Sequence, residues 1–296
     1  MLNLIHVRTF LTVTTTQGVR AAARQLELSP STVADHLRQL EEHLAAPLFV
    51  RRLGGARLTD QGGRFLPLAR ALINTAGRVR NLVHLPGLRI AASNNVGTYL
   101  LQPYLADFQL KSGLQVEQWI GSNPEVIARL EQGEADLAAM EWWDARPGFI
   151  AQTWMRERLV VIVRPSHRWA RLGVISVAEL QTEPLLGGEA GTGTGYLLRQ
   201  KLGPLADSLV ILDGFGSTEA VKRAVRAGRG ASIVMESSVA DEVESGHLVA
   251  LQIEGIDLAK EIKLIVPEAL PASAPAMTLL AASASWAGIS GASSFS

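Results

Sequence analysis

Six side chains in one short stretch, Ser31, Thr32, Asp35, His36, Arg38 and Gln39, are compact or hydrogen-bonding groups rather than a plain Lys/Glu coat. Such groups can donate to and accept from the edges of bases, and Asp35 in particular can accept from a cytosine amine. Arg51, Arg52 and Arg57 flank a Gly54-Gly55 tip and suit contacts to a sugar-phosphate backbone, which fix position without reading sequence. A second set of polar groups lies further on. Ser93–Thr98, Gly191–Gly195 and Gly214–Thr218 are small polar loops, each opening a helical run. Backbone N–H groups and the positive dipole end at such places suit an anionic or polar ligand. One loop alone is explained as well by helix capping; three in one domain point to a binding site. Trp142-Trp143 could stack on a ligand or serve as core or interface aromatics.

Other chemistries find no support. The chain has no G-x-S-x-G elbow, no HExxH and no His/Asp/Glu cluster at metal spacing, and no histidine near Ser93 marks it as a nucleophile. Gly191-Thr192-Gly193-Thr194-Gly195 lacks the lysine or third glycine of a nucleotide fingerprint. The expectation is no catalytic centre, no metal and no cofactor. Cysteine is absent, which excludes disulfides and thiolate metal sites and fits a reducing compartment. The opening MLNLIHVRTFLTV lacks the basic start and cleavage site of a signal peptide, and no run of about eighteen apolar residues suggests a membrane span. A soluble cytoplasmic protein is expected.

The first set of residues needs a rigid frame. Ser29-Pro30 opens a helix, serine as N-cap and proline at the first helical position. Val33, Leu37, Leu40 and Leu44 make its apolar face, and the polar residues lie opposite. An alanine-rich helix ending at Leu26 precedes it across a tight break. The pair describes either an ordinary helical hairpin or a helix-turn-helix whose second helix lies in a major groove. Charge favours the latter: residues 1–85 carry eleven arginines and no lysine against five carboxylates, in a chain balanced overall at 28 basic and 28 acidic residues. A first helix over residues 2–14 covers the motif, and residues 47–59 read as a hairpin wing. From Asp60 to Val83 the residues Phe65, Leu68, Leu72, Ala76, Val79 and Val83 recur at helical spacing, which suits packing against a copy of the same helix. Pro67 should kink this helix or leave its first turns irregular.

From Leu88 strand-like and helical runs alternate, implying βαβ units and a mostly parallel sheet. The expected strands include Leu159–Val163 and Glu261–Val266. Nine strands with a restart near Pro165 imply two lobes and a cleft between them. A solute-binding protein would account for this half but leave residues 1–60 unexplained; an enzyme would need a catalytic constellation that is missing.

Taken together, Phe10-x-x-Val13, Ala21-Ala22-Ala23-x-x-Leu26, Ser29–Val33, Leu40-Glu41-x-x-Leu44, Pro47-Leu48-Phe49-x-Arg51 and Leu58-Thr59-x-x-Gly62 resemble the LysR-type transcriptional regulators. So do LRIAASNNVGTYLLQPYLADF, LEQGEADLAAME and STEAVKRAVRAGRGASIV, in that order. The resemblance implies an α/β chain with a winged helix-turn-helix over residues 1–59, a dimerising linker helix over 60–86 and a two-lobed domain like periplasmic binding proteins over 87–287. Residues 288–296 are expected to be disordered. It further implies a dimer, commonly paired into a tetramer, that binds double-stranded promoter DNA and changes its grip when a small effector enters the cleft. Base-facing positions would be Pro30, Ser31, Thr32, Asp35 and His36, with Arg38 near phosphate. The effector would meet Ser93, Asn95, Thr98, Glu141, Gly216, Ser217 and Thr218. Ala34, Asp35, Ala45-Ala46 and Gly195 depart from the family pattern, Gly195 standing where many relatives carry arginine. The polar loops favour a carboxylate or oxyanion, whereas Glu141 and the missing arginine fit a neutral or amine-bearing compound as well.

Overall fold

The computed structural model describes residues 2–52, 55–80, 87–188, 193–284 and 286, with only the backbone of Arg51, Arg52, Arg78 and Arg80. The expected tail at 288–296 and the end of the linker helix, including Val83, lie outside the described residues. The chain divides into two compact units, residues 1–89 with 127–136 and residues 90–126 with 137–296.

At the front, helices α1 (Leu4–Thr16), α2 (Val19–Leu26) and α3 (Pro30–Leu44) are followed by strands β1 (Phe49–Arg52) and β2 (Gly55–Leu58) and helix α4 (Asp60–Arg80). The apolar face read from the sequence is the one buried. Val33, Leu37 and Leu40 join Val7, Phe10 and Val13 of α1 and Ala22 and Ala23 of α2 in one core. The Phe10 ring sits 5.3 Å from Phe49 and 5.1 Å from Phe65, tying the wing and α4 to the same centre. Each aliphatic side chain so buried contributes about 1.5–3 kcal/mol. β1 and β2 pair antiparallel from Phe49↔Leu58 to Arg52↔Gly55, as expected of a wing.

Hydrogen bonds explain the remaining front signature. The Glu41 carboxylate accepts from the N–H groups of Leu48 (2.7 Å) and Phe49 (3.1 Å), anchoring the wing to α3. The Thr59 hydroxyl donates to Pro47 O at 2.6 Å and accepts from Gly62 N–H at 2.9 Å. A Cβ on Gly62 would stand 2.2 Å from Leu48 O, so only glycine allows this approach. Helix α4 runs through Pro67 with regular first turns, contrary to the irregularity expected there. Phe65 and Ala69 face the front core, so Phe65 leaves the stripe assigned to a partner; Leu68, Leu72 and Val79 are exposed.

The rear elements are β3 (Leu88–Ser93), a π-helical turn (Val96–Leu100), α5 (Gln102–Ser112), β4 (Val116–Gly121), α6 (Asn123–Glu131), β5 (Leu137–Met140), β6 (Phe149–Val163), β7 (Val174–Ile175), α7 (Val177–Leu180), β8 (Leu185–Leu186), α8 (Gly193–Leu202), β9 (Ile211–Leu212), α9 (Thr218–Arg226), β10 (Ser232–Met235), α10 (Ala240–Glu244), β11 (Val249–Ile253), β12 (Ala259–Pro267) and α11 (Pro275–Ser283). The main sheet runs β4-β3-β5-β12-β6-β11-β7, with β10 also on β6. It is mixed rather than mostly parallel. β3 and β5 are parallel, but β12 pairs antiparallel with Phe149–Arg158 of β6, and both strands are antiparallel to the strands flanking them.

These two long strands cross between the lobes. β12 joins β5 in the first lobe, while the end of β6 joins β10 and β11 in the second. The expected Leu159–Val163 is only the last third of β6. There Leu159, Val161 and Val163 enter one core and Val160 and Ile162 another, so the run is apolar without interruption. The earlier half is half-exposed and carries Gln152, Thr153 and Arg156, which hid it from hydrophobic patterning.

Ala45 ends α3 in the left-handed region, φ 51°. A Cβ there costs about 1–2 kcal/mol. Ala45→Gly is therefore expected to raise the front unit's stability by up to about 1 kcal/mol, after the greater freedom glycine gives the unfolded chain. Urea unfolding followed by circular dichroism measures it, and a lower midpoint would contradict the strain assigned to Ala45.

Candidate functional site

The polar face of α3 is built by its own N-terminus. Ser29 accepts the Thr32 N–H at 3.0 Å, and its hydroxyl lies 2.7 Å from Ser31 Oγ and 2.8 Å from Thr32 Oγ1. Pro30 and Ser31 are exposed, Thr32, Asp35 and His36 half-buried and Arg38 exposed. Pro30, Ser31, Thr32, Asp35, His36 and Arg38 thus lie off the face that carries Val33, Leu37 and Leu40. Arg57 is exposed on β2; Arg51 and Arg52 lie on β1, their side chains outside the described part.

Local pairing modifies three of these groups. Arg38 donates to Asp35 and Glu42, both at 2.6 Å, and Gln39 donates to the other Asp35 oxygen at 2.5 Å. The bond from Arg38 holds the Asp35 carboxyl below its ordinary pKa. In this arrangement Asp35 is not a bare charge facing phosphate, and Arg38 is already paired with two carboxylates while keeping further N–H donors. His36 Nδ1 lies 3.0 Å from Thr9 Oγ1, whose own proton goes to Ile5 O, and the ring stacks 4.6 Å from His6. With Nδ1–H donating to Thr9, Nε2 is left as an acceptor. Burial, and then the neighbouring His36, holds His6 below its ordinary pKa.

The second site is a cleft of about 560 Å³ in the rear domain. All seven residues expected there, Ser93, Asn95, Thr98, Glu141, Gly216, Ser217 and Thr218, line it. β3 delivers Ser93 and the π-turn delivers Thr98; an interruption of this kind often marks a functional position. From the other lobe Ser217 caps α9, accepting the Ala220 N–H at 3.2 Å. Two hydrogen bonds span the cleft, Thr218 Oγ1 to Asn95 Oδ1 at 2.8 Å and Tyr99 OH to Glu219 Oε1 at 2.9 Å. Burial, with Glu219 adding to it, pushes the Tyr99 phenol pKa up. Trp142 and Trp143 are not at the cleft; Trp143 packs edge-on to Phe149.

Sequence reasoning missed Tyr99 and Lys260. Lys260 on β12 is 6% exposed, lines the cleft, and donates to Thr194 Oγ1 at 3.1 Å. Burial lowers its pKa and Glu141 partly opposes the shift. A signal was available: Lys260, Ile262 and Leu264 alternate on one strand, and the last two are fully buried. Period two therefore points the lysine inward. The Ser93 hydroxyl donates to the Glu141 carboxylate.

A bacterial regulatory helix-turn-helix model of the lysR family matches residues 4–63, and a LysR substrate binding domain model matches residues 86–287. The chain belongs to the LysR family. PtxE of Stutzerimonas stutzeri, named as a helix-turn-helix-type transcriptional regulator, is 37% identical over 196 residues, 66% of this chain and all of PtxE. A RuBisCO operon transcriptional regulator of Allochromatium vinosum is 29% identical over 260 residues, 86% of each chain. ArgP of Mycobacterium tuberculosis has the same fold, with a TM-score of 0.68 at 21% identity over 96% of this chain and 98% of ArgP. Full-length CbnR in complex with its target DNA gives 0.55 at 19% identity, over 95% and 98%. As a LysR-family member the chain is a DNA-binding transcriptional regulator with an effector-binding rear domain. Among the described residues no helix is long and apolar enough to cross a membrane.

An ideal Cβ on Gly193 would stand 3.4 Å from Lys260 Nζ and 3.7 Å from Glu141 Cγ. Gly193→Ala should therefore fill cleft space beside both groups with no demand for a left-handed backbone. The expected outcome is a melting temperature within about 2 °C of wild type, a shift of ~0.5 kcal/mol, with at least tenfold weaker effector response, read by gel shift. An undiminished response would place the effector elsewhere.

Proposed function

We propose that α3 enters the major groove with Pro30, Ser31, Thr32, Asp35 and His36 facing base edges, while Arg38, Arg51, Arg52 and Arg57 hold phosphates. The observation that carries this reading is the division of α3: its apolar side is consumed by the Phe10 core, and its hydroxyl-rich N-terminal side is exposed. His36 Nε2, with Nδ1 occupied by Thr9, presents a single defined acceptor to a base. The CbnR complex, of the same fold, supports DNA as the partner.

The effector binds in the cleft, among Ser93, Asn95, Thr98, Glu141, Gly216, Ser217 and Thr218. A ligand there competes with or reinforces the two hydrogen bonds that span the lobes, and it shifts the lobes only by its differential affinity for their arrangements. The exposed stripe Leu68, Leu72 and Val79 on α4 supports self-association through the linker helix into a dimer, with dimers pairing into a tetramer. The protein acts in the cytoplasm, where its DNA is, and as a regulator rather than an enzyme.

Full-length protein titrated onto a duplex of its own promoter region is expected to lose tenfold or more in affinity between about 50 and 200 mM salt. Arg57→Ala should weaken every sequence alike and lower the salt slope by about 1. Thr32→Ala should cost about 1–3 kcal/mol on the specific duplex alone. Salt-independent binding, or a Thr32→Ala loss equal on all duplexes, would refute the assignment of α3.

A further inference from the structure

Lys260 is an anomaly in the cleft. The residue is only 6% exposed, yet among the described residues its hydrogen-bond partner is one neutral hydroxyl, Thr194 Oγ1. No carboxylate lies within 4 Å of Nζ among the described residues. Its cross-strand neighbour Glu157 is turned to the Ser237 N–H at 2.9 Å. Glu141 interacts with it only at a distance. A buried ammonium with two spare donors is costly unless an anion completes it. The adjoining N-terminus of α8, which begins at Gly193, adds positive potential at the same place.

Glu141 shows the complementary deficit. It accepts a hydrogen bond from the Ser93 hydroxyl and has no further hydrogen-bond partner among the described residues, so the carboxylate offers acceptor sites to the cleft. Lys260 Nζ and Glu141 Cγ both lie within 3.7 Å of the point where a Gly193 Cβ would stand. The Lys260 ammonium and the Glu141 side chain thus border the same part of the cleft.

Resting on the reading of this cleft as the effector site, we propose that the effector is a compact anion carrying its own hydrogen-bond donor. Its anionic oxygen takes Lys260, and a hydroxyl or ammonium one to three bonds away donates to Glu141. This chemistry is shared by 2-hydroxy- and 2-amino-carboxylates and by oxyanions that retain a proton. Lys260 sets the sign of the ligand, and Glu141 rejects anions that have no donor, because its carboxylate would then face like charge with nothing between.

The test is thermal shift on the full chain, wild type and variants, with L-lactate, L-serine, inorganic phosphate, acetate and ethanolamine as probes. At saturation one donor-bearing anion is expected to raise the melting temperature by roughly 5 °C or more. Lactate or serine shifting the protein assigns the carboxylate source, and phosphate assigns the oxyanion. Acetate should shift it far less. Lys260→Met should abolish the effect while melting at or above the ligand-free wild type, since an unneutralised buried charge is gone. Should that variant not fold, Gly193→Ala must show the same loss. Glu141→Met should bring acetate level with the donor-bearing probes. A shift by ethanolamine that survives Lys260→Met but is lost in Thr98→Val would overturn the anion assignment and leave the cleft reading intact. A shift that survives both would overturn the cleft reading itself. Silence from all probes would overturn the ligand class.

Discussion

The front of the molecule depends on a single packing constraint: Phe10 and its neighbours consume one side of α3 completely. Val33, Leu37 and Leu40 have no alternative place to go, so α3 cannot rotate about its axis without exposing them. The rotation fixes which residues face outward. Phe49 and Phe65 pack at a tilt against the same Phe10 ring, so the wing and the linker helix take their positions from that centre too. Glu41 adds a polar clamp where packing alone would leave the start of β1 free to slide.

The rear domain answers to a different constraint, the antiparallel pairing of β6 and β12 as they cross between lobes. Lys260 rides on one of these strands and donates to Thr194 at the start of α8, so its position in the cleft follows from the crossing. The two hydrogen bonds from the π-turn to α9 meet the opposite requirement. They are few and partly exposed, so a ligand can rearrange them at modest cost, each being worth about 0.5–1.5 kcal/mol.

Where local signals were strong the sequence was readable. Ser29-Pro30 and the spacing of Val33, Leu37 and Leu40 each have one dominant local solution, and α3 follows them; the expected hairpin forms as β1 and β2, with Gly54 outside the described residues. Six of the seven expected cleft residues lie in loops legible because strand ends feeding helix N-termini place small polar residues at a sheet's edge, while Glu141 came only from the family resemblance. Three things were not. The first half of β6 is held by pairing with β12, not by its own apolar content, so patterning missed it and with it the mixed sheet. Tyr99 meets Glu219 across 120 residues, a distance over which local rules are silent. The irregularity expected at Pro67 did not materialise, and Phe65 turned to its own core because Phe10 lies within reach.

Amide exchange on the full chain, with and without a promoter duplex, tests the central claim most directly. Engagement of α3 in the groove predicts slowed exchange across Ser29–Leu40 and along β1 and β2 on the specific duplex, with weaker protection on unrelated DNA. Unchanged exchange across Ser29–Leu40 beside saturating specific DNA, with protection confined to other elements, would contradict it.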